Sequence, residues 1–365
     1  MRSFEFWLGK HADLVRSITV KKGTGEDAET VSRYLPAQQT LAAALLKFLG
    51  NGTASGAAST SNAGAAGGSN KGPLQLEAYS SDCMGSSSIL QALWSSHITS
   101  LHLSLPQHSR SDASLPSCQH LLSVFKRLPK LQSLSLTFQM HHPVSETCCK
   151  ALARLTGLTH LDLGVGLNAW DMKALQLPEV LPTLPLQRLR LHCHYEHTNP
   201  IWDLSSFTQL TNLDFKFMAP KAPLEPPAAL KLPAQVRVLN IVCGGADAFG
   251  DDDEFRPPGP PFINHLTALQ QLQAFSTTTA HFLPDYVLRH LAALSTLQDI
   301  SISYECVDAA SHNQHDWVHM QHLKQLSIYL KPRYDTATPM SMTQLHQLMD
   351  AIGCASGLTS LQVGA

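Results

Sequence analysis

The sequence predicts an α/β solenoid, with a parallel β-sheet along a concave face and helices and irregular segments on the convex face. Three observations predict it. A six-residue apolar pattern, LxxLxL, recurs at near-regular intervals; the segments between copies carry a helical period; and 44% of the 365 residues are hydrophobic while 15% are charged. A fixed period of this length means stacked supersecondary units, none of which covers its own apolar face alone.

The strand element comes first. ITSLHL starts at Ile98, LQSLSL at Leu131, LTHLDL at Leu158, LQRLRL at Leu186, LTNLDF at Leu210, VRVLNI at Val236, LQQLQA at Leu269, LQDISI at Leu297, LKQLSI at Leu323 and LTSLQV at Leu358. Ten copies over 260 residues give a mean spacing near 29, which leaves room for a helix in each unit. Upstream, VRSITV at Val15 fits the pattern fully, and KGPLQL at Lys71 keeps Leu74 and Leu76 but lacks the first apolar position. About twelve units therefore fill residues 1–365 as a single domain.

The helices follow from spacing between the copies. Cys149, Leu152 and Leu155 before Gly157, then Val287, Leu291 and Leu294, then the run from an N-capping Ser341 to Gly353, each place apolar residues on one side of a helix. Three stretches break the pattern. Residues 51–70 are rich in Gly, Ala and Ser and read as a flexible insertion. Residues 218–233 hold too many prolines for a helix and read as an extended convex segment. Residues 244–261 form an acidic, Pro/Gly-rich loop.

On these copies the chain resembles the leucine-rich repeat family, in its helix-bearing, intracellular, ribonuclease-inhibitor-like subclass, and the motif covers nearly the whole sequence. The resemblance implies a horseshoe with its strands on the inner side. It also has a gap: the family's Asn or Cys three places after the third leucine falls at Gln139, Gly166, His194 and Glu305, so its usual side-chain ladder is missing. The stretch FEFWLGKHADLVRSITV is similar to the first repeat after the F-box in F-box leucine-rich-repeat proteins. That resemblance implies a substrate-recognition part of a ubiquitin ligase, with the ligase's linker subunit as a partner if an F-box exists upstream. LPAQQTLAAALLKFL, from Leu35, echoes the start of an F-box but reads better as a repeat helix. The chain opens on a repeat and closes on a bare strand, which predicts an incomplete product.

Strand residues alternate between two faces, so the leucines point inward and the residues before, between and after the last two leucines face outward. The outward residues are Ser133, Ser135 and Thr137; His160, Asp162 and Gly164; Arg188, Arg190 and His192; Asn212, Asp214 and Lys216; Val238, Asn240 and Val242; Gln271, Gln273 and Phe275; Asp299, Ser301 and Ser303; Gln325, Ser327 and Tyr329. The middle column sets Asp162, Arg190 and Asp214 side by side. This pattern suits either a self-satisfied ion ladder or a polar hot spot with Arg188, Arg190 and His192 as anchors. His160, Asp162, Arg188, Arg190, His192, Asp214, Lys216, Phe275 and Tyr329 are the candidate partner-binding residues. Val238 and Val242 join Phe275 and Tyr329 as an apolar contact area.

Other chemistry is weakly indicated. His192 and His194 share a strand face near Cys193 and His197, but position 194 falls where the chain should leave the sheet, so no metal site is expected. Asp251, Asp252, Asp253 and Glu254 lack the alternating ligands and central glycine of a calcium loop. Cys148 and Cys149 have no histidine or acid spaced for catalysis. The formal net charge of −2 gives no overall attraction to nucleic acid or anionic membrane, and no apolar run has spanning length. The expected function is a non-enzymatic protein-protein interaction scaffold that grips a protein ligand on the concave sheet. It needs no cofactor, nucleic acid or membrane and works in the cytoplasm or nucleus. The alternative, from another class, is a metal-dependent or hydrolytic enzyme on a repeat scaffold.

Overall fold

A computed structural model describes residues 6–7, 11, 14–20, 40–45, 76–81, 93, 97–105, 123–138, 151–165, 181–194, 202–218, 230–244, 266, 268–279, 285–304, 320–330, 352–353 and 355–364. They fall into two compact units, Met1–Gly164 and Val165–Ala365. The expected flexible insertion at 51–70, all but the first residue of the acidic loop, Cys148, Cys149 and the helix expected from Ser341 lie outside the described residues.

In the first unit the strands are β1 (Ser17–Val20), β2 (Ala78–Ser81), β3 (Ser100–Leu105), β4 (Ser133–Phe138) and β5 (His160–Val165). They pair in chain order, all parallel. The second unit holds β6 (Arg188–His194), β8 (Asn212–Met218), β10 (Val238–Gly244), β11 (Ala274–Thr279), β12 (Asp299–Tyr304), β13 (Gln325–Leu330) and β14 (Ser360–Gly364), again parallel. A separate two-stranded sheet joins β7 (Trp202–Asp203) to β9 (Leu230–Lys231). Of the two, β9 falls within the proline-rich residues 218–233, where no helix was expected. Each unit is a leucine-rich repeat solenoid: one strand per repeat, in register with the next.

Register stacks the apolar positions into columns. One column of the second unit runs Leu189, Leu213, Leu239, Phe275, Ile300, Leu326 and Leu361. In the first unit the matching column is Ile18, Tyr79, Leu101, Leu134 and Leu161. Away from β1 and β14 these side chains are buried; on β14, Leu361 and Val363 are 37% and 39% exposed. Burying one such side chain contributes roughly 1.5–3 kcal/mol, so the columns are the main source of stability.

Two strands correct the expected motif frame. Phe275, placed outward by the reading LQQLQA, is 3% exposed and in register with Leu239 and Ile300. The working copy is LQAFST from Leu272, and the described outward residues of β11 are Ala274 and Ser276 rather than Gln271, Gln273 and Phe275. KGPLQL shifts likewise: Leu76, Tyr79 and Ser81 hold the three inward positions. The cause is chemical. Ser81 and Thr277 are the buried polar residues among the described core, at 2% and 4% exposure, and each takes the place of the third leucine. A hydroxyl there hides the motif, and an upstream Leu at a spacing of two or three offers a false one.

The strands are entered through a tight turn. In eight repeats the amide of the first inward residue donates to the carbonyl three residues earlier, as in Leu131 to Leu128, Leu210 to Phe207 and Leu323 to Met320, at 2.9–3.2 Å. The next two amides then donate to one carbonyl of the preceding repeat: Gln132 and Ser133 to Thr99, Arg237 and Val238 to Thr211, Lys324 and Gln325 to Gln298, at 2.8–3.1 Å throughout. Where threonine follows the first inward residue, its hydroxyl donates to the same carbonyl, from Thr99, Thr159, Thr211 and Thr359 at 3.0–3.3 Å. This ladder lies at the strand entrance, where no ladder was expected.

Between strands the structure describes one full helix, α1 (Asp285–Ala292), which buries Leu291 and leads to buried Leu294. Residues 40–45 are also helical, with Ala42, Ala44 and Leu45 buried. A 3₁₀ turn, Leu181–Thr183, precedes β6.

Candidate interaction surface

The face opposite the core columns is polar, and its most developed part spans β6, β8 and β10. Register makes a three-by-three grid there: Arg188, Asn212 and Val238; Arg190, Asp214 and Asn240; His192, Lys216 and Val242. Neighbouring strands stand about 4.8 Å apart and alternate residues along a strand roughly 7 Å apart.

Asp214 organises the grid from its centre. The Arg190 Nε–H donates to Asp214 Oδ2 at 2.6 Å, and Asn240 Nδ2 donates to Asp214 Oδ1 at 3.0 Å. The Arg190 side chain is 50% exposed while that of Asp214 is 19% exposed, so the acid is sheltered and the guanidinium reaches solvent. Such a charge-assisted bond fixes the fork of the arginine. Arg188 and Val238 are exposed, and His192, Lys216 and Val242 are half-buried.

The other expected site residues are placed as follows. His160 and Asp162 stand on the outward face of β5, in the first unit. Asp162 accepts from the Ser135 hydroxyl of β4 at 3.2 Å, and the His160 Nδ1 lies 2.8 Å from the Thr159 hydroxyl. Tyr329 faces outward on β13, half-buried, in register with Ser303. Phe275 is in the core and contributes nothing to the surface. The structure thus joins Arg188, Arg190, His192, Asp214 and Lys216 on one patch, and leaves Tyr329 four strands from β8. Asn212 and Asn240 complete the patch; their signal in the sequence was position in the repeat, legible once copies are aligned.

His192, Cys193 and His194 all lie on β6, which runs on to His194, while His197 lies outside the described residues. Among the described residues no three His, Cys, Asp or Glu side chains gather as a metal-binding group, and no helix is long and apolar enough to cross a membrane.

Comparison with solved structures returns an internalin from Listeria monocytogenes, 14% identical, covering 79% of this chain and 69% of that one with a TM-score of 0.33. It also returns the TLR13–ssRNA13 complex, 16% identical, covering 78% of this chain and 41% of that one with a TM-score of 0.39. No protein-family model and no curated protein matches.

Proposed function

We propose that the chain is a non-enzymatic protein-protein interaction scaffold whose grip is the outward face of β6, β8 and β10. The observation that carries this reading is the Arg190–Asp214–Asn240 network. One sheltered acid holds two donors in place while Arg188, Lys216, Val238 and Val242 surround them with charged and apolar surface. Arginine beside apolar side chains on a rigid sheet is the composition of a binding hot spot. The sheet itself costs little to order on binding, because its backbone is fixed by pairing on both sides.

The partner is a protein, the site of action is the cytoplasm or nucleus, and no cofactor takes part. A place in a ubiquitin ligase is a narrower version resting on the likeness of residues 4–20 to the repeat that follows an F-box. In that stretch Phe6 and Trp7 are exposed, and the Trp7 ring lies 5.0 Å from that of His11. Recovery of a ligase linker subunit with the full chain would support it.

The main reading is tested by capturing partners with wild type and with a triple alanine variant at Arg188, Arg190 and His192. Loss of specific partners from the variant, with an unchanged melting curve, is the expected result. Equal recovery by both proteins would move the grip elsewhere. Stoichiometric zinc in the purified protein would favour the enzyme alternative.

A further inference from the structure

We propose that the surface of β6 and β8 takes an extended acidic segment of a partner protein, with carboxylates at alternate residues. This deepens the interaction reading above and rests on it.

Positive charge on the described outward face is sharply localised. The whole chain carries 26 Lys and Arg against 28 Asp and Glu. Yet among the described outward positions of the twelve strands, every Lys or Arg lies on β6 or β8: Arg188, Arg190 and Lys216. The acid among them, Asp214, is sheltered and engaged by Arg190 and Asn240. Three cations and one acid leave a local excess of two positive charges, within an area about 5 Å by 14 Å. Outward positions on β10, Val238, Asn240 and Val242, are uncharged, so that strand does not offset the excess. Such a patch attracts and orients anions.

Spacing then selects the anion. Arg188 and Arg190 are two residues apart on one strand, roughly 7 Å, which is the separation of alternate side chains in any extended peptide. A segment of the form acid-x-acid lying along β6 presents one carboxylate to each guanidinium. Lys216, beside His192 at the far end, receives a third carboxylate two residues on. The Val238–Val242 edge of β10 offers apolar contact to a neighbouring aliphatic side chain. A single-stranded nucleic acid fits less well, because binding without sequence preference uses aromatic side chains as stacking platforms. The grid has no Phe, Tyr or Trp, and Phe275 is in the core.

The experiment measures binding of fluorescein-labelled peptides to the full chain by anisotropy. The probes are a nine-residue peptide alternating glutamate and serine, its glutamine-serine counterpart, and a short single-stranded oligonucleotide. The expected result is binding of the glutamate peptide that weakens with salt, about tenfold or more weaker binding of the glutamine peptide, and loss in an R188E/K216E variant. An R188Q/K216Q variant repeats the test with less perturbation should the reversal unfold, and should weaken binding in the same direction. Equal binding of the two peptides, no binding of either, indifference to both variants, or an oligonucleotide that outcompetes the glutamate peptide would each overturn the proposal. The two readings fail separately. Partners lost from the triple alanine variant, combined with no glutamate-peptide binding, keep the interaction face and remove its acidic ligand; partners unaffected by that variant remove the face itself.

Discussion

The outward faces of β1–β5 and of β6, β8 and β10 rest on frames of the same kind and carry different chemistry. Both rest on inward apolar columns, both enter their strands through the same shared-carbonyl ladder, and both are parallel and in register. On the first, the described outward residues include Ser17, Thr19, Ser80, Ser100, Ser133, Ser135 and Thr137, with Asp162 as the charged residue. On the second, Arg188, Arg190, Asp214 and Lys216 crowd two strands. The difference teaches that the frame places no demand on the outward columns. What stands there is available for recognition.

The largest effects should therefore be alike in the two regions, because they belong to the frame. Leu161→Ala and Leu189→Ala each remove a buried column side chain and should cost about 2–5 kcal/mol in denaturant unfolding. A cost below about 1 kcal/mol at either would break the equivalence.

The next effect compares two glycines in the same turn position. A Cβ at Gly357 would run into the Gln321 backbone carbonyl, whereas one at Gly157 would come no nearer than 3.6 Å to any atom, the Leu131 carbonyl oxygen. Gly357→Ala should destabilise its turn by about 1–3 kcal/mol, while Gly157→Ala should be tolerated. Thermal melting of both variants checks this.

A smaller effect separates the regions. Asp214→Ala removes two hydrogen bonds at a partly exposed site and should cost on the order of 1 kcal/mol of stability, while weakening partner capture through a disordered Arg190. Its counterpart, Ser135→Ala, removes one bond to Asp162 and should change stability by about 0.5 kcal/mol or less with capture unchanged. Capture lost in Ser135→Ala but kept in Asp214→Ala would exchange the roles of the two faces.

The period made the fold legible in the sequence, and it failed where chemistry blurred the period. A large apolar residue at three inward positions identifies a strand and its direction, so β3, β4, β5, β6, β8, β10, β12 and β13 were readable residue by residue. At β2 and β11 a serine or threonine fills the third position and a leucine lies two or three residues upstream, so two frames compete and the sequence pattern favours the wrong one. Pairing decides between them, because only the later frame aligns Phe275 with Leu239 and Ile300. The grid was legible as a set of columns, including the Arg190–Asp214 neighbours. Its hydrogen-bonding to Asn240 was not, since amide and carboxylate rotamers depend on register that spacing alone leaves open.

The entrance ladder has a consequence for how such a chain changes over generations. Its rungs are main-chain groups, so they do not depend on which side chains occupy the outward columns, and each rung joins only adjacent repeats. Repeats whose starts are 22 to 61 residues apart share the same rung geometry. A lineage could thus duplicate, drop or lengthen a repeat and rewrite its recognition surface while the splice between neighbours stays the same.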